Sequence, residues 1–127
     1  MHAVIETQAY LRDAEQVGMS DSERESVVLA ISENPAVGVV MPGTGGARKV
    51  RFAGRGKGKS GGYRVVTFYA AADVPVFLLA VISKGERADL SKAEQNSLRA
   101  ELSGLKDDYR AGTAARLVQM KNYRRRK

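Results

Sequence analysis

The chain has 127 residues, which bounds it to about one domain with a modest core. It has no cysteine, so disulfides and thiolate metal sites are excluded, and no apolar run approaches the roughly 18 residues that span a bilayer. The formal net charge is +7 and it is segregated: residues 48–64 hold seven basic side chains and no acid, residues 116–127 hold six and no acid, and the remainder is acidic. Clustered Lys and Arg gain from releasing the counterions around phosphates, so a polyanion partner is expected. The N-terminus has no basic start followed by an apolar core, so no secretion signal is read and a cytoplasmic protein is expected.

Residues 3–6 read as a short edge strand. Thr7 caps a helix running to about Val17, with Tyr10, Ala14 and Val17 at helical spacing and Gly18 as the stop. Ser20 to Glu23 is a capping box for a second helix that runs to about Glu33, buries Val27, Val28 and Ile31, and ends at Asn34-Pro35. Two successive short helices predict a helical hairpin on a sheet. Residues 41–46 are turn chemistry. In residues 48–52, Val50 and Phe52 alternate with Lys49 and Arg51, as in a half-buried strand. Residues 54–62 are expected to form a loop, followed by a strand over 63–70. Residues 74–82 are nearly all apolar and suit a central strand covered on both faces. The AAAD link predicts a hairpin, hence an antiparallel meander. Ser91 to Glu94 is a second capping box, and Leu98, Leu102, Leu105 and Tyr109 predict one C-terminal helix packed on the core. A break is expected at 111–113. The fold class is therefore α+β: an N-terminal strand and helical hairpin packed on an antiparallel sheet, with a C-terminal helix. The expected division is a domain over residues 1–110 and a basic tail over 111–127.

Residues 53–60, AGRGKGKS, fit the permissive phosphate-loop pattern, and residues 56–61, GKGKSG, fit the glycine spacing of a dinucleotide fingerprint. Both need a helix after the loop to support the phosphates, and a strand follows instead. The physical reading is a glycine-rich basic surface for a nucleic-acid backbone. Phe52, Tyr63 and Tyr69 lie close by and could stack on bases, although strand context favours the core for most of these rings. The only histidine, His2, reads as a surface residue, so a histidine acid/base pair is ruled out. With no carboxylate cluster near the basic loop, no metal site is read. RNA cleavage would then use the substrate's own 2′-hydroxyl. Lys and Arg would stabilise the developing charge, and a lysine among several cations would act as base.

The strings VIETQAY, SDSERE, NPAVGVVMPGTGGARKVRFAGRGKGKSGGYRVVTFYA and VFLLAVISKGERADLSKAE resemble the HigB-like branch of the RelE toxins, over roughly residues 3–105. The resemblance implies the RelE-like fold and a toxin of a type II toxin–antitoxin module. It implies a ribosome-dependent mRNA endonuclease acting in the A site, without metal or other cofactor. The implied partners are mRNA, the ribosome and a cognate antitoxin, with the toxin otherwise monomeric and no membrane association. By resemblance the catalytic positions are Arg64, Lys57, Lys59 and Lys84, with Arg64 on the scissile phosphate. Arg48, Lys49, Arg51, Arg55 and Arg87 are expected to contact RNA. This chain departs from its relatives late in the last strand and just beyond it, where some carry a tyrosine and this chain holds Ile82 and Ser91. Two other readings compete: a ParE-like inhibitor of DNA gyrase on the same fold, and a non-catalytic module that binds RNA or the ribosome.

Overall fold

The computed structural model describes residues 1–54, 58–83 and 90–112. Its elements are β1 (Val4–Glu6), α1 (Gln8–Gln16), α2 (Asp21–Glu33), β2 (Val39–Val40), β3 (Arg48–Gly54), β4 (Gly58–Phe68), β5 (Val76–Ser83), α3 (Lys92–Leu102) and α4 (Leu105–Arg110). The strands form one sheet in the order β1-β5-β4-β3-β2, and β3, β4 and β5 are the expected antiparallel meander. The first strand pairs parallel to β5, so the sheet is mixed.

Strand β5 is the centre of the molecule. From Val76 to Ile82 every residue is buried. Its side chains feed two cores, one on each face of the sheet. Val76, Leu78 and Val81 pack with Tyr10, Ala14, Val27 and Ile31 beneath α1 and α2. Phe77, Leu79, Ala80 and Ile82 pack with Leu98, Leu102 and Leu105 beneath α3 and α4. A bulge makes this division possible. Val66 pairs with Ala80 and Thr67 with Leu78, so Leu79 is the extra residue, and both Leu79 and Ala80 join the second core.

Polar ties fix α1 to β5. The Thr7 hydroxyl accepts the Tyr10 N–H at 3.2 Å as the helix cap and donates to the Leu78 carbonyl at 2.7 Å, fully buried. The buried Asp13 carboxylate accepts the Val81 N–H at 3.1 Å, one residue past the bulge. Both capping boxes form as expected, with Ser20 and Glu23 on α2 and Ser91 and Glu94 on α3. Arg24 then joins α2 to β1 through Glu6 at 3.1 Å. Helices α1 and α2 carry Asp13, Glu15, Asp21, Glu23, Glu25 and Glu33 against only Arg12 and Arg24, so this layer is acidic.

Several expectations are corrected. The loop expected over residues 54–62 is shorter, because β3 extends to Gly54 and β4 begins at Gly58. The strand expected to reach Ala70 ends at Phe68. The single C-terminal helix is two. Ser103 is extended and Gly104 is left-handed (φ +83°), which turns the chain while Leu105 stays on the same core as Leu102. His2 is not surface decoration: its Nε2 is 2.7 Å from the Val74 carbonyl and its ring meets Tyr69 edge to face. Its backbone and the Ser32 hydroxyl also bond, tying the N-terminus to the end of α2.

Two outcomes are expected. Asp13→Ala strands the Val81 amide and should lower the unfolding free energy by about 1–3 kcal/mol in urea titration. Burial, then the Glu6 charge, pushes the Tyr10 phenol well above its usual range, and burial followed by Glu23 raises that of Tyr63. The unfolded chain therefore releases these protons first. Stability should be fully present below about pH 10 and fall as pH rises beyond it. Tyr10→Phe should flatten that decline in alkaline denaturation curves.

Candidate nucleic-acid interface

Alternation along β3 and β4 decides which basic side chains share a surface. Tyr63 and Val65 belong to the core under α1 and α2, so Arg64 between them points to the opposite face. Val50 and Phe52 also pack on the α1/α2 side, so Lys49 and Arg51 point with Arg64. The register places Arg51 directly opposite Arg64, and Ile82 opposite Arg64 on its other flank. Lys49 is opposite Val66, so the three cations form one patch across two neighbouring strands.

The energetics of this patch are unusual. Directly opposed side chains lie about 4.5–5.5 Å apart at Cβ, and like charges there are destabilising. Arg64 is only 7% exposed, yet no salt bridge to a described carboxylate holds it. None of its side-chain nitrogens is a buried atom left without a partner, so the guanidinium tip stays accessible at the patch while the rest of the residue is covered. An anion bound between Arg51 and Arg64 would offset that repulsion, and a phosphate oxygen matches the fork of a guanidinium. Arg51 is exposed and reaches the solvent side of the same patch.

The other candidate residues fall differently. Arg48 donates to the Ala36 carbonyl at 3.0 Å, and its Nε is buried without a partner. Its cross-strand neighbour Thr67 is fully buried, with a hydroxyl that is also unpartnered. Arg48 therefore braces the segment after α2 against β3, a role for which its charge pattern gave no signal. Lys59 lies within β4. Arg55, Lys57, Lys84 and Arg87 lie outside the described residues.

The positions expected to hold a tyrosine in relatives have structural work here. Ile82 is fully buried in the core, and Ser91 caps α3, accepting the Glu94 N–H at 3.2 Å. Tyr63 faces the other side of the sheet, where it and Glu23 line one pocket. Tyr109 shares the Arg64 face but packs edge to face on Phe77, with ring centroids 6.1 Å apart. Phe77 is five residues along β5 from Ile82, roughly 15 Å away at strand rise. The Glu23–Tyr63 contact was missed in the sequence because it joins a helix cap to a strand 40 positions later.

Arg48→Ala should lower stability by about 1 kcal/mol or more in thermal or urea unfolding, through the lost carbonyl bond and buried stem. Its effect on RNA affinity should be smaller than that of Arg51→Ala, measured side by side by filter binding.

Comparison with known proteins agrees with the fold. A solved structure of the E. coli toxin RelE, a double arginine-to-alanine mutant in the free state, superposes with a TM-score of 0.51 at 20% sequence identity. The match covers 79% of this chain and 95% of that one, and at this identity it speaks to the fold alone. The family model described as the RelE toxin of the RelE/RelB toxin–antitoxin system matches residues 2–124, nearly the whole chain. With the meander, the helical hairpin and the C-terminal helices in place, the chain belongs to the RelE toxin family of toxin–antitoxin systems.

Proposed function

We propose that this protein is a ribosome-dependent mRNA endonuclease, the toxin of a type II module, held inactive by a cognate antitoxin. The observation that carries the reading is Arg64: a residue only 7% exposed, opposed to Arg51 across the strand pair and without a salt bridge to any described carboxylate. Such a site is preorganised for a phosphate whose charge grows during reaction. In the proposed reaction the 2′-hydroxyl gives its proton to a lysine acting as base and attacks the adjacent phosphorus, forming a 2′,3′-cyclic phosphate. The bond to the 5′-oxygen of the next nucleotide breaks, and that oxygen takes up a proton. Arg64 neutralises the non-bridging oxygens, and Lys49 and Arg51 hold the neighbouring backbone. Lys57, Lys59 and Lys84 are assigned to proton transfer and charge neutralisation by family resemblance, with Arg55 and Arg87 extending the RNA contacts.

A second reading has one observation in its favour. Ile82 and Ser91 stand where related toxins often carry a tyrosine, and both are engaged structurally. A protein that keeps the phosphate-binding arginines but lacks a stacking or basic tyrosine would bind the ribosome and RNA without cutting.

Primer extension on a translated mRNA in a purified translation system separates the two. Cuts within codons that require ribosomes are expected, and Arg64→Ala should reduce their rate about 10²–10³-fold, the usual effect of removing a charge-stabilising donor. Folded wild-type protein that co-sediments with ribosomes but leaves the message intact would replace the nuclease reading with the binding one.

A further inference from the structure

We infer that Gly62 is a positioning residue for Arg64: its missing side chain lets β4 close onto the backbone of β3 and so fixes the spacing of the arginine pair. This rests on the proposed phosphate site and adds a residue to it. A Cβ built at Gly62 would lie 2.3 Å from the Phe52 carbonyl oxygen, 3.2 Å from its carbon and 3.3 Å from the Ala53 Cα. All three are backbone atoms, so no side chain can move aside and the strands themselves would have to part. Gly62 is not among the glycines with positive φ. The requirement is therefore close approach, not conformational freedom.

The contact sits at the root of an irregularity. Phe52 pairs with Tyr63, but the next pair is Gly54 with Gly58. Opposite Ala53 alone, β4 thus contributes residues 59–62. Bulges next to functional sites re-aim side chains, and this one begins two residues before Arg64. Arg51 immediately precedes Phe52, and Gly62 lies one residue beyond Tyr63 from Arg64, so the contact is within two residues of the arginine pair on both strands. Separation of the strands at Gly62 would tilt Arg51 and Arg64 apart. A site of this kind holds its groups to within about 0.5 Å, and a displacement near 1 Å can cost about 10²-fold in rate.

The test is Gly62→Ala in the full chain, assayed by timed primer extension on ribosome-bound mRNA over a range of message concentrations. The expected result is a kcat about 10–100-fold lower with KM within about twofold, because binding contacts persist while reaction geometry is lost. Wild-type kcat, or a raised KM with unchanged kcat, would overturn the assignment. Should the variant not fold, hydrogen exchange on the wild type decides. Amides of Phe52 and Tyr63 protected as strongly as those of β5 support the closed root, and rapid exchange there overturns it. Should wild type not cut RNA, the nuclease reading fails separately. The cross-strand NOEs between Arg51 and Arg64 then carry the test: their loss in Gly62→Ala supports positioning, and their retention refutes it.

Discussion

Everything in this molecule is referenced to the double-sided burial of β5. A strand buried on both faces cannot slip by one residue without exchanging its two sets of side chains, so its register is fixed from both sides at once. The Leu79 bulge sharpens the constraint, because Thr7 and Asp13 bond the backbone at Leu78 and Val81 on either side of it. Strand β4 inherits its register from β5, and β3 from β4. The side on which Arg64 emerges is thus decided by hydrophobic packing, far from any phosphate.

The same logic explains how a small domain tolerates a partly buried like-charge pair. Val65 and Val66 beyond Arg64 are fully buried, and Ile82 opposite it is too. That apolar frame, at about 1.5–3 kcal/mol per large side chain, holds β4 in place whatever the arginines cost. Stability resides in the sheet centre and the two helical layers, while the β3–β4 end is left to carry charge. Strain or repulsion persists at a site only where the surroundings over-determine the geometry.

What could be read in advance follows from locality. Both capping boxes, the Gly18 stop, the alternation around Val50 and Phe52 and the apolar run of β5 are short-range signals, and each yielded its element. The failures are non-local or masked by a stronger pattern. The leucine stripe of α3 and α4 continues across Ser103-Gly104 because both helices pack on one core, so periodicity alone could not show the turn between them. Strand β2 is two residues long and exists only through its pairing with β3. Arg48 carries the same charge as Lys49 and Arg51, and only its bond to Ala36 separates it from them. Gly62 stood among glycines that looked like loop, when its role is set by a carbonyl on another strand.

The acidic layer of α1 and α2 lies on one side of the sheet, and Lys49, Arg51 and Arg64 open on the other. Among the described residues, charge is therefore separated across the sheet. In the field of a polyanion such a body feels a torque as well as a pull. For the described residues that torque favours the helical hairpin outward, the effect by which complementary fields enrich correctly oriented encounters. Orientation on approach is then a property of the whole fold, and charges on the far helices govern how often a collision presents the correct face.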